Sequence, residues 1–543
     1  MSLNTSLSIA SSGLNAVQYQ LAVSSQNVSN ASTPGYVTEI ANVGSRDADG
    51  AASGVVVQPT TLALNNALQN SLYVENASVA GLGVTVNALS AVSAAQGSTT
   101  DATDSNTLTS LVGNLQDAFT TLDSDPSSAV QQQTVVDSAS ALAQSINSLS
   151  GTYQSQRQEA QAAIPVTLDT INSNLTTIGT LSGQIMELQA TGGDTADLQN
   201  QRLDAMTTLS SSLGVVFTPT STGDMLVSTT SGLALPTRPT GGPLLSAGAA
   251  PVTAASGYVA SAAPGATTTI PPITLNGLDV TASLTGGTIG ANIVLRDTTL
   301  PTMQAELDAF STTLATRFSG AGLNLFTNAG GWSPDPNAAT DPTQAPAGTP
   351  WDSTLVTVPQ TIPLPANGEL GFSAEIQVNP LVTASPTLVR DGQDSAVTGA
   401  ATFLANSAGG PAGFTTLIDG ILSSTFGTQT ITGTSQAASS TAGLGLTGAL
   451  SAPYAGSGDL GSLATTLTSS QAETIGLATT QQSTGTDMQT TLQAALTSSS
   501  GVSIDDEMSK IVALQNAYEA NAKVVTSVQS MFSALLAAVA PAA

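Results

Sequence analysis

The chain has 543 residues, room for about three or four domains, and 41% hydrophobic residues with which to build their cores. Its formal net charge is −27 with only nine Lys and Arg, too few to neutralise phosphates, so nucleic-acid binding is excluded. With no Cys and no His, the chain cannot form disulfides, thiol nucleophiles, Ser-His-Asp or Cys-His triads, or histidine-ligated zinc.

At the N-terminus Leu3, Leu7, Ala10, Leu14, Val17, Leu21, Ser24 and Val28 fall alternately three and four apart, the a/d spacing of a coiled-coil helix. A basic n-region and an apolar h-region are both lacking here, so no conventional signal peptide is expected. No apolar run approaches the ~18 residues of a membrane span, and no membrane contact is expected. The chain is expected to be cytoplasmic or to leave by a route that reads an uncleaved terminus. The helix must end at Asn27-Val28-Ser29-Asn30-Ala31-Ser32-Thr33-Pro34-Gly35-Tyr36. Pro34 fixes φ, Gly35 permits φ > 0, and the pair fits the centre of a type II turn.

Asp47-Ala48-Asp49-Gly50 reads as a solvated turn, because it lacks the ligand spacing of a calcium loop. Gly81-Leu82-Gly83 lacks a third glycine at dinucleotide spacing, so no nucleotide site is expected. Helical patterns then run from about Asn106 to Leu213. Leu108, Leu111, Leu115, Phe119 and Leu122 form one short helix, stopped at Asp123-Ser124-Asp125-Pro126. A second is expected to reach about Leu149. A third carries Leu168, Ile171, Leu175, Ile178, Ile185 and Leu188, with Pro165 as a kink or break. A fourth opens at Asp197-Leu198-Gln199-Asn200-Gln201-Arg202-Leu203-Asp204 and ends at Gly214; Arg202 reads as an ordinary ion pair between helices.

Val215 to Leu295 is rich in Val, Thr and Gly between Pro and Gly, as short strands with turns would be. Gly287-Thr288-Ile289-Gly290 precedes a helix from Thr298 to Phe318, and Leu325 to Asn367 is loop-like. Phe372–Val378 reads as a strand. Helices are expected again at Phe414–Leu422, Leu460–Leu467 and Gln471–Leu496.

The last helix repeats the seam of the first: Ile511, Leu514, Tyr518, Asn521, Val525, Val528, Phe532, Leu535 and Val539. Ser503 is placed as its N-cap, and Asp505, Asp506 and Glu507 put negative charge on the first turn, where the helix dipole favours it. Capping accounts for this acidic cluster, and no catalytic, cofactor-binding or metal-binding residues are assigned. The two terminal helices are expected to pair, and their ends to order fully only against neighbouring subunits.

Ser12-Gly13-Leu14-Asn15-Ala16 with Asn27, Asn30, Thr33, Pro34, Gly35 and Tyr36 resembles the opening signature of the flagellar axial proteins: rod, hook and hook-associated subunits. Asp506-Glu507-Met508 with Leu514-Gln515-Asn516-Ala517-Tyr518 and Ala520-Asn521-Ala522-Lys523-Val524 resembles their closing signature. The Asp197–Asp204 and Gly287–Gly290 segments resemble the hook-associated members at the hook–filament junction. The resemblance implies a non-enzymatic structural subunit without cofactors. It further implies a homo-oligomeric ring of about eleven subunits in contact with the hook protein and with the next hook-associated junction protein. Also implied are type III flagellar export and a cytoplasmic chaperone on the C-terminal seam, with Val525, Val528, Phe532 and Leu535 as its footprint. A hook or rod subunit, or a secreted adhesin, remains the alternative.

The expected fold is α+β and multidomain: a terminal α-helical coiled coil (1–34 with 503–543) and a mainly helical domain (35–214 with 291–326 and 373–502). A β-rich outer insert (215–290) and a loop-rich segment (327–372) complete it.

Overall fold

The computed structural model describes residues 3–48, 51–97, 106–238, 244–254, 256–259, 269–328, 370–393, 403–407 and 409–539. Most of the expected loop-rich segment lies outside them. Helix α1 (Leu3–Asn30) leads into a two-stranded antiparallel hairpin, β1 (Glu39–Ala48) and β2 (Ala51–Leu62), and then α2 (Asn66–Gln96). Next come α3 (Leu108–Ser124), α4 (Ala129–Ala190) and α5 (Ala196–Ser212). Two small antiparallel sheets follow: β3 (Val215–Pro219), β4 (Met225–Thr229) and β5 (Ala234–Leu235), then β6 (Leu245–Ala247), β7 (Ile273–Leu275) and β8 (Leu278–Asp279). Helix α6 (Gly287–Val294) passes through a π-helical turn, Leu295–Thr299, into α7 (Leu300–Ala321). After a run of short elements the chain closes with α8 (Leu460–Ser500) and α9 (Ile504–Val539).

Helix α4 is the beam of the molecule, 62 residues long, or about 93 Å at the usual helical rise. The sequence reading expected two helices and a kink or break at Pro165; the structure has one helix that runs through it. Proline in a helix interior costs about 3 kcal/mol. Ile164, Leu168, Ile171 and Leu175 on its flanks are almost wholly buried. Burial at ~2 kcal/mol for each large side chain outweighs that cost.

The two halves of α4 serve two cores. Leu142, Ile146 and Tyr153 of its first half pack with α3, α7 and the start of α8. Phe119, Phe318, Phe326 and Phe426 stack there with ring centroids 5.5–6.3 Å apart. The second half packs with α5, α6 and the inner faces of both small sheets, through Leu209, Phe217, Val227 and Ile273.

Three further expectations change. Helix α8 is continuous where two helices were expected, and Gln471, at the expected joint, is buried and bonded to α7. Phe372–Glu375 is a helical turn and only Gln377–Val378 is strand, because Phe372 and Ser373 turn inward to meet α7. Helix α2 is long and apolar enough to cross a membrane, with mean hydropathy 1.4, against the expectation that no segment would be. Here it packs along α8, and its polar groups find protein partners: Asn76 with Ser210 and Gln489, Gln96 with Gln471.

Candidate assembly interface

Helices α1 and α9 pack against each other. They run antiparallel: the Thr38 N–H just past α1 donates to the Ser500 carbonyl just before α9 at 2.8 Å, while mid-helix Gly13 lies against the Asn521 side chain. The absence of a side chain at Gly13 lets the polar Asn521 sit inside the seam.

Along α1 the seam residues Ala10, Val17 and Ser24 are buried, and Leu7, Leu14, Leu21 and Val28 half-buried. Ala16 and Val23 are buried on the flank covered by the hairpin. Along α9 Val528 is buried and Ile511, Leu514, Asn521, Val525 and Phe532 are half-buried. Tyr518 and Leu535 stay exposed, at 37% and 53%. The side chains of Leu3 and Val539 lie outside the described residues. Ser503 caps α9 by accepting the Asp506 N–H at 3.3 Å. Ile504, Met508, Val512, Val524, Met531 and Leu536 of α9 are exposed as well, spread around the helix rather than gathered on one face.

The turn after α1 joins this pair to the helical body. The Tyr36 N–H donates to Thr33 O at 3.2 Å and Gly35 has φ +79°, which is type II geometry. Asn27, buried at the end of α1, accepts from the Glu39 N–H at 3.0 Å and donates to the Glu39 carbonyl at 2.9 Å. Its Oδ1 also accepts the Tyr36 hydroxyl at 3.0 Å. Asn200 of α5 does the same one step along, accepting the Val37 N–H at 3.0 Å and donating to Val37 O at 3.2 Å and the Glu39 carboxylate at 3.1 Å. Residues 37–39 are thus an extended strap held by one asparagine from the terminal pair and one from the helical body.

Carboxylates gather around it. Burial, reinforced by the nearby Asp197 charge, pushes the Glu39 carboxyl up. Asp194 goes the other way: burial would raise it, but hydrogen bonds from Thr60, Tyr19 and the Ala196 N–H hold it below the ordinary value. Gln26 of α1 donates to Asp197. The start of α5 is therefore docked on α1 and β2 through Asp194 and Asp197, and on the strap through Asn200. Sequence reasoning singled out Asn27 and Asn200 in separate motifs but did not join them, and no local signal pairs two residues so far apart. Arg202 was expected to form an ion pair. It donates to Ser182 Oγ and the Gly223 carbonyl instead, and no carboxylate lies within ion-pair distance among the described residues.

Residues 97–331 match the family described as the flagellar hook-associated protein FlgK helical domain. Residues 7–36 match the flagella basal body rod protein family, and 492–538 the C-terminal family of the basal body rod FlgEFG proteins. The chain belongs to the flagellar hook-associated proteins. The matched stretches of this hook-associated chain are α1 with its turn, the helical body, and the end of α8 with α9. A search of curated proteins returns no match. Among solved structures, the flagellar hook junction protein FlgK from Burkholderia pseudomallei is similar at 20% identity and TM-score 0.39. That similarity covers 48% of this chain and 47% of the other, about half its length. The family is one of structural flagellar components.

Proposed function

We propose that this chain is a subunit of the junction ring between hook and filament, assembled through its terminal helices. The observation that carries the reading is the row of large apolar side chains left exposed along α9, a helix already paired with α1, in a member of a polymer-forming family. Exposed apolar surface of this kind marks a protein–protein contact. Neighbouring copies, about eleven to a ring by family resemblance, would cover it and complete the order of the ends. The hook protein and the next junction protein would flank the ring. Export through the flagellar type III route, without a cleaved signal peptide, and a cytoplasmic chaperone on Val525, Val528, Phe532 and Leu535 complete the proposal. The domain limits given above remain part of it.

Electron microscopy of cells lacking this gene, with flagellin assayed in the medium, tests the placement. Bare hooks with shed flagellin are the expected result. Missing hooks would make the chain a hook or rod subunit, and intact filaments would overturn the reading.

A further inference from the structure

Away from the terminal pair, α2, α8 and α6 border an open groove of about 940 Å³. Leu82, Ile293, Val294 and Met488 line it, and Val294 and Met488 are themselves about half exposed, at 52% and 51%. Gly81 of α2 lies so close to α6 that a Cβ there would stand 2.9 Å from the Gly287 carbonyl. The groove is open to solvent, and most of its lining surface is apolar. Its one charged group is Glu75, at the α2 wall. Small-molecule sites orient their ligands with several convergent polar groups, whereas an apolar trough between helices is the shape that receives a helix.

The same chain displays a ridge of matching character. Ile504, Met508 and Val512 are 50%, 47% and 54% exposed and recur every four residues on α9. Lys523 lies on that same face, eleven residues (three helical turns) beyond Val512. Lys510 and Lys523 are the only lysines in the chain, and Lys510 is bonded to Glu507. Neither Lys523 nor Glu75 makes an ion pair among the described residues. The ridge belongs to the helix paired with α1, so it does not fill its own groove.

We propose that the groove between α2, α8 and α6 receives the Ile504–Met508–Val512 ridge of a second copy of this chain, with Lys523 of that copy reaching Glu75. A ridge and a groove on different surfaces make a heterologous, head-to-tail contact, which builds rings or helical arrays rather than closed dimers. The contact thus rests on the reading that copies assemble, and it names which surfaces of the outer body take part.

The absence of cysteine makes the test clean. Two full-length chains, one Ser78→Cys at the groove and one Val512→Cys on the ridge, are co-expressed with distinct tags. Flagella are isolated and treated with a short dimaleimide. The expected product is a mixed-tag dimer from assembled material and none from the monomer. Junctions that form normally but give no mixed dimer overturn this contact and leave the junction assignment standing. Failure of the unsubstituted chain to reach the junction overturns the assignment instead. A charge exchange gives a second readout: Glu75→Lys weakens self-association about fivefold, and adding Lys523→Glu restores it. A double variant no better than the single one also overturns the proposal.

Discussion

Asn27 and Asn200 grip one extended strap two residues apart, Asn27 at Glu39 and Asn200 at Val37, each closing a donor–acceptor pair with a single residue's backbone. An amide side chain can do this because it presents a donor and an acceptor side by side, as a peptide unit does. Replacing Asn27 with Ala leaves the buried Glu39 N–H and carbonyl unpaired, at about 2–3 kcal/mol. Thermal unfolding is expected to shift down, with faster amide exchange at Val37 and Glu39 and unchanged exchange in α3. Exchange rising equally everywhere would show that the strap is not the hinge between the terminal pair and the body.

Pro165 is a cost that α4 carries. Pro165→Ala restores the missing N–H and removes the ring's clash with the preceding turn, so the variant is expected to be more stable by about 1–3 kcal/mol. Denaturant titration reads this directly. A loss of stability would mean that the half-buried ring contributes more by packing than it costs the backbone.

Gly287 has φ +62°, and a Cβ there would stand 2.4 Å from the Leu213 N and the Ser212 C. The left-handed backbone and the contact with α5 act together. Gly287→Ala is therefore expected to cost about 3 kcal/mol or more and to separate α6 from α5. Near-native stability in a melting curve would sink this account.

Glu306 is buried between α7 and α8 with one hydrogen bond, from Gln471 Nε2 at 2.9 Å. Gln471 is itself held by the Tyr153 hydroxyl, and Tyr454 lies nearby. Burial pushes the Glu306 carboxyl from its ordinary 4.5 up to about 7. Burial likewise raises the Asp308 carboxyl to about 6, against hydrogen bonds from Ser373, Gly371 and Gln304. A carboxyl raised on folding favours the protonated native state. Its stability contribution is present below the unfolded value and is lost as pH climbs towards the folded one. Glu306 thus removes roughly 3 kcal/mol between about pH 4.5 and pH 7, and nothing further above that. Glu306→Gln is expected to flatten this slope and to raise stability at pH 8. An unchanged slope in unfolding titrations at pH 5 and pH 8 would exclude Glu306 as its source.

What the sequence made legible was whatever a periodicity or a turn rule encodes. The a/d spacing located α1 and α9, and Pro34-Gly35 located the turn between helix and hairpin. Less visible was α2: its Ala-, Val- and Gly-rich face is apolar nearly all round, so no single stripe marked it, although it is 31 residues long. The hairpin carried no clear strand signal, because β1 has few β-branched residues. Pro165 does not break α4, because the local rule is outweighed by burial on both sides. The strap depends on residues 161–163 positions apart in sequence, and no local pattern reports such a pairing.

The two faces of α9 can be separated by where a charge is placed. Val528 is 6% exposed against α1, whereas Leu536, in the last turn of α9, is 70% exposed. Val528→Asp buries an unpaired carboxylate, and together with Phe532→Asp it is expected to unpair the terminal helices, abolish assembly and remove chaperone binding. Leu536→Asp adds a charge where water already reaches. Its monomer is expected to keep wild-type helicity and melting behaviour while incorporation into flagella falls. Helicity by circular dichroism, co-purification with the chaperone and immunolabelling of isolated flagella distinguish these outcomes. Normal incorporation of Leu536→Asp would mean the outer end of α9 faces solvent in the assembly. Retained chaperone binding by the Val528→Asp, Phe532→Asp chain would move the chaperone's footprint off this seam.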